Sequence, residues 1–171
     1  MLVELRVSRF KSVRDGVLPL HDLTLLVGRN GSGKSNVLEA LEVLARITSG
    51  DDLHEVLDSE GDAPLVRGGA AACAPHGSDH FALGCTVATP RGDVHLDVEV
   101  QVAPVVAVRT ERLRVTGGAD GDASERTLLD AHGLSEADGP HAPPTIGVHL
   151  ADSPDGQPVQ LPATRSISAQ V

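Results

Sequence analysis

Aromatic side chains are almost missing from this sequence: of 171 residues two are phenylalanine, and there is no tryptophan or tyrosine. A core built without them has to come from Val, Leu, Ile and Ala, and almost nothing remains for stacking on nucleic-acid bases. Two cysteines, Cys73 and Cys85, do not make a disulfide framework. No apolar run is long enough for a membrane span, and the charged, alternating N-terminus is no signal peptide. The expected setting is therefore cytoplasmic and reducing, without membrane contact. Net positive charge is missing as well. The chain carries −10 overall, divided as +2 over residues 1–50 and −12 over the rest. The acidic part repels phosphate backbones, so the charge does not support DNA binding except through the N-terminal region or further partners.

Lysine is the last scarcity, and it points to what is there. Lys11 and Lys34 are the only two lysines among 14 basic residues, and Lys34 stands in LTLLVGRNGSGKSNVLEALEVLARI, residues 23–47. An apolar run (Leu23, Leu25, Leu26, Val27), a glycine-rich turn and a helical pattern follow one another in the order that a phosphate-binding P-loop requires. Gly28, Gly31 and Gly33 are expected to take positive φ, turning successive N–H groups inward around an anion. Arg29, Asn30, Ser32 and Asn36 complete the candidate binding loop. Lys34 would reach β- and γ-phosphates as a point charge, and the Ser35 hydroxyl would ligate a Mg²⁺ bridging them. Free N–H groups at the helix start add to the attraction.

Along the chain, Val3, Leu5 and Val7 alternate with Glu4, Arg6 and Ser8, which predicts a half-buried strand over Met1 to Phe10. A short second strand is expected over Val13 to Leu20 and a buried one over Leu23 to Val27. Val37, Leu38, Leu41, Leu44 and Ala45 recur at helical spacing, with Ser49-Gly50 as the stop. A short helix near Leu53 to Leu57 and a loop follow. Phe81 to Ala88, Val94 to Val102 and Val105 to Val115 read as an antiparallel meander. Thr127 to His132 reads as a short helical or irregular patch between turn-rich stretches at Gly117 to Ser124 and Ala137 to Pro144. Two short strands, Thr145 to Leu150 and Val159 to Leu161, flank the turn Ser153-Pro154-Asp155-Gly156. The division expected is a core at 1–50, a loop-rich connector at 51–80 and a β-rich acidic region at 81–171.

MLVELRVSRFKSV, the GRNGSGKSN loop with its helix, and the β-rich stretch after them together resemble the N-terminal portion of RecF/SMC/OLD-like AAA-type ATPases of the ABC class. The resemblance implies an α/β fold in which a mixed sheet with a P-loop helix carries an antiparallel β lobe. It implies ATP with Mg²⁺, head-to-tail dimerisation around ATP, and work in DNA repair, recombination or phage defence. It also implies that Arg9-Phe10-Lys11-Ser12 ends the first strand near the nucleotide and that Asn36 recurs after the loop serine. Such ATPases need an apolar strand ending in Asp-Glu. The nearest candidates, IGVHLAD ending at Asp152 and VVAVRTE ending at Glu111, read better as ordinary strands, and nothing selects a Q-loop residue among Gln101, Gln157, Gln160 and Gln170. No signature motif or catalytic acid is found. The chain is therefore expected to be the first part of a longer ATPase or one half of a split enzyme, pairing with a second copy or with a C-terminal half that supplies the acid. A sheet without its later strands would leave an unpaired edge near the loop.

Other constellations are weaker. Cys73, His76, His80 and Cys85 have spacings short enough for four zinc ligands. The remaining histidines (His21, His54, His95, His132, His141, His149) lack partners at ligand spacing. Asp97 and Glu99 read as a solvated strand face, and so do Arg109, Arg112 and Arg114. A P-loop kinase would want arginine-rich lid residues after the helix, where only Arg67 stands. A protein-interaction fragment with a vestigial loop is the alternative from a different class.

Overall fold

The computed structural model describes residues 1–58, 65–117, 124–135, 139, 142–153 and 157–171. Strands β1 (Leu2–Phe10) and β2 (Val13–Pro19) precede helices α1 (Lys34–Thr48) and α2 (Leu53–Leu57). Six further strands follow: β3 (His80–Thr89), β4 (Gly92–Gln101), β5 (Ala107–Thr116), β6 (Glu125–Ser135), β7 (Thr145–Leu150) and β8 (Val159–Pro162). They form one eight-stranded sheet in the order β2-β1-β3-β4-β5-β6-β7-β8. Every pairing in it is antiparallel. The α/β class stands, but the mixed sheet expected around the glycine-rich loop is not what forms among the described residues. A parallel component needs strands on either side of Leu23–Val27, and β1 instead turns its two edges to β2 and β3.

That leaves Leu23–Val27 as the main departure from expectation. It belongs to no strand, and Leu23, Leu25 and Val27 are 87%, 80% and 83% exposed. Leu26 alone tucks into an apolar cleft of about 170 Å³ with Leu5, Val7, Val13, Val17 and Val37. A run of β-branched and leucine side chains fits a buried strand, yet burial needs neighbouring strands to bond its backbone.

One face of the sheet carries the core. Leu5, Val7, Phe10, Phe81, Leu83, Val98 and Val100 are buried together with Ala40, Val43, Leu44 and Ile47 of α1 and all three apolar residues of α2. The helix is anchored by a stripe rotated from the one expected. Leu38 is 59% exposed and Ala45 is also outside, because α1 has apolar residues on two faces and only one meets the sheet. Thr127–His132 is also corrected, from a helical or irregular patch to the middle of β6. Leu129 and Ala131 alternate into the core there, and the free edge of β5 pairs with the segment. The other predicted strands and both helices form near their expected bounds. Much of Gly117–Ser124, Ala137–Pro144 (with His141) and Ser153–Gly156 lies outside the described residues.

The opposite face is polar and laced by ion pairs. The Arg6 guanidinium lies across Gly84, donating to Asp97 Oδ1 (2.9 Å), Glu4 Oε1 (2.5 Å), Thr86 Oγ1 (2.7 Å) and the carbonyls of Cys85 and Leu96. A Cβ at residue 84 would sit 2.4 Å from Asp97 Oδ1 and 2.8 Å from the Leu96 carbonyl, so only glycine leaves room for the arginine. Arg114 pairs with Asp97 and Glu125, Arg112 with Asp130, and Arg109 with Glu99. Asp97, Glu99 and the three arginines are thus ion-paired rather than merely solvated, because β5 lies between β4, which carries Asp97 and Glu99, and β6, which carries Asp130.

Candidate functional site

The glycine-rich loop closes on the first turn of α1. Gly33 is the residue before the helix, at φ 91°, and offers no side chain to cap it. The first intrahelical bond runs from Val37 N to Gly33 O at 3.0 Å, so the N–H groups of Lys34, Ser35 and Asn36 have no partner inside the helix. Gly31 also takes a left-handed φ of 80°. Gly28 does not, which corrects its expected role: a Cβ there would come 2.8 Å from Ser32 Oγ, so space rather than backbone hand favours glycine.

Lys34 turns back over the loop. Its ammonium donates to the carbonyl oxygens of Gly28 (2.7 Å) and Arg29 (2.8 Å), with Ser32 Oγ at 3.4 Å. Residues Asn30 to Asn36 line an open concavity of about 350 Å³. Of the expected site residues, Asn30, Gly31, Ser32, Gly33, Lys34, Ser35 and Asn36 line this concavity, while Gly28 and Arg29 lend carbonyl oxygens to Lys34. Unpaired N–H groups, a cation and a helix N-terminus suit a polyanion. For a magnesium ion the donor set is thin. Ser35 contributes one exposed hydroxyl, and among the described residues no group of three or more His, Cys, Asp or Glu is placed to hold a metal. Mg²⁺ takes its remaining oxygens from phosphates, water and carboxylates, so the loop fits the anion by itself and the metal only as one ligand of several.

The other candidates are not assembled into sites. Cys73 is buried and its Sγ–H faces the Gly69 carbonyl, whereas Cys85 stands on β3. His80 is engaged by Asp79 (2.7 Å), Arg9 and Arg109, so the four presumptive zinc ligands do not meet. Burial pushes the Cys73 thiol up to about 12, Lys11 opposing, and raises that of Cys85 as well. Asp152 follows β7 in an exposed turn. Glu111 is fully buried and structural: its carboxylate accepts from Ser166 Oγ (2.9 Å), Ile167 N (2.7 Å) and Ser168 N (2.8 Å), fixing the last segment beneath the sheet. Gln101 and Gln170 donate to local carbonyls. His132 and His149 stack with ring centroids 5.3 Å apart.

Sequence reasoning missed the contacts that tie the loop to the β1–β2 corner. Asn36 Nδ2 donates to Ser12 Oγ at 2.8 Å, and Lys11 Nζ lies 2.5 Å from Glu39 Oε1. The only signal was the Phe-Lys-Ser triplet, and no periodicity links it to a helix more than twenty residues on. Among the described residues no helix is long and apolar enough to cross a membrane.

Residues 1–66 match the family described as "AAA ATPase domain". The chain is also similar to the "DNA replication and repair protein RecF" of three organisms. That of Acidothermus cellulolyticus is 36% identical over 119 residues, covering 69% of this chain and 27% of the relative. That of Frankia alni is 38% identical over 92 residues, covering 50% and 20%. That of Nocardioides sp. is 48% identical over 48 residues, covering 28% and 10%. The chain thus spans about a quarter or less of the length of these relatives.

Proposed function

Because the N-terminal portion of this chain is that of a RecF/SMC-like AAA ATPase, an ATP-binding family, we propose that Gly28 to Asn36 form a Walker A P-loop that binds ATP. The backbone N–H groups of Gly31 and of Gly33 to Asn36 cradle the phosphates, Lys34 neutralises the β- and γ-oxygens, and Ser35 would give one ligand to the accompanying Mg²⁺. When bound, that ion would be held in part by the Ser35 hydroxyl and would supply positive charge against the phosphates. The observation that supports this most is the convergence at the start of α1: a left-handed glycine without a cap, unpaired N–H groups behind it, and an ammonium folded over the loop carbonyls.

In this reading the chain is the N-terminal part of an ABC-class ATPase, with residues 1–50 as core, 51–80 as connector and 81–171 as the acidic β region of the same lobe. Hydrolysis draws its carboxylate from a C-terminal half or from a second copy closing head-to-tail on the nucleotide, and the process served is DNA repair, recombination or phage defence, in the cytoplasm. A protein-interaction fragment is the second reading, favoured by the exposure of Leu23, Leu25 and Val27.

Calorimetric titration of Mg-ATP into the purified chain tests it, with Lys34→Ala as control and phosphate release followed in parallel. Binding abolished by the substitution, without turnover by the chain alone, is expected. A folded wild-type chain that binds no nucleotide would overturn the proposal in favour of the interaction fragment.

A further inference from the structure

Something has to hold the first turn of α1 against the sheet, and Leu23–Val27 pairs with no strand. The corner between β1 and β2 supplies the attachment from the other side. Arg9 and Lys11 there have φ of 54° and 52°, left-handed conformations that cost of order 1 kcal/mol each outside glycine and persist only where the surroundings over-determine them. The surroundings do so. Phe10 between them is fully buried, edge-on to Phe81 at 5.3 Å. Lys11 N donates to the Cys73 carbonyl at 2.7 Å. Lys11 Nζ and Glu39 Oε1 meet at 2.5 Å with side chains 12% and 13% exposed, and both also bond Arg67, whose carbonyl accepts from Lys11 and whose N–H donates to Glu39.

Fixing Lys11 fixes Ser12 next to it. The Ser12 hydroxyl accepts from Asn36 Nδ2 at 2.8 Å and lies 3.3 Å from where a Cβ on Gly33 would be. Asn36 and Glu39 are three residues apart, hence neighbours on one side of α1. The corner therefore grips the helix at two points in its first turns. With its ammonium on Glu39 and the Arg67 carbonyl, Lys11 is held in this grip.

We infer that the Arg9–Ser12 corner positions the anion-binding loop, with Ser12 acting through Asn36 to set where the N–H groups of residues 34–36 point. The inference rests on the nucleotide-binding reading above. Ser12 is exposed, so removing its hydroxyl leaves no cavity and the fold intact.

The test compares Mg-ATP affinity and thermal midpoint for the full chain and for Ser12→Ala, Ser12→Thr, Asn36→Ala, the double Ser12→Ala/Asn36→Ala and Lys34→Ala. Ser12→Ala is expected to weaken Mg-ATP by about tenfold, the size of one hydrogen bond, while the chain still unfolds cooperatively with a midpoint no lower than that of Asn36→Ala. Ser12→Thr restores affinity, and the double variant binds no worse than Asn36→Ala. Wild-type affinity in Ser12→Ala, or single losses that multiply in the double variant, overturns the inference while leaving the nucleotide reading in place. A wild-type chain that does not bind, or binding indifferent to Lys34→Ala, overturns the nucleotide reading and the inference with it.

Discussion

Glu111 offers the sharpest quantitative test of how this chain holds together. Its carboxylate is fully buried in β5 and takes three donors, Ser166 Oγ and Ser168 N on Oε1 and Ile167 N on Oε2. Burying a carboxylate costs several kcal/mol, which its charge-assisted bonds offset. The pair of terms nearly cancels in the native protein but not in a variant. In Glu111→Ala the buried Ile167 N–H and the part-buried Ser168 N–H lose their acceptor, at about 1–3 kcal/mol each, so the expected loss is about 4 kcal/mol. Glu111→Gln keeps the shape but turns its amide nitrogen toward one backbone donor whichever way it is placed. It should lose one backbone bond, about 2 kcal/mol. Against a total stability of about 5–15 kcal/mol both losses are large. Urea unfolding followed by far-ultraviolet circular dichroism is the assay, since without tryptophan or tyrosine the chain has no useful fluorescence. Hydrogen exchange at Ile167 and Ser168 adds a local readout. The reasoning is refuted if Glu111→Ala stays within about 1 kcal/mol of wild type, or if Glu111→Gln is the less stable of the two.

The thiols should be inert in the folded chain: Cys73, 0% exposed and pushed up to about 12, resists alkylation at mildly alkaline pH and reacts once urea unfolds the protein. Since the unfolded thiol ionises from about 9.0 while the folded one keeps its proton, stability falls as pH rises from there towards 12, and Cys73→Ala removes its share of that slope and leaves that of Cys85; native labelling as fast as in urea would show the burial to be wrong. The bare segment at Leu23, Leu25 and Val27 should make the chain self-associate with concentration in sedimentation velocity. Replacing the three by serine should return a monomer, and a wild-type chain monomeric throughout would count against the exposed edge.

Much of this molecule is legible in the residues themselves, because the periods involved are local. Val3, Leu5 and Val7 alternate, Val94 to Val102 alternates, and both segments are strands with those faces inward. The glycine spacing and Lys34 announce the loop, since an anion cradle needs those residue types next to a helix start. Where the outcome depended on neighbours, local reading failed. ERTLLDAHGLS has too mixed a pattern to declare a strand, and became β6 because the β5 edge was open to it. LTLLV declares a strand clearly and is none, because no strand among the described residues pairs with it.

By itself, then, the sequence determined the phosphate-type loop, its helix and a β-rich remainder, all of them encoded in short-range periodicity and in backbone freedom at glycine. Only the tertiary structure decided that one antiparallel sheet runs through both halves of the chain. Likewise, Glu111 became an internal anchor and Lys11, Ser12, Asn36 and Glu39 came to grip the loop. Those contacts join residues 24 to 57 positions apart, and pairing over such separations is chosen by packing and register, which no local pattern carries.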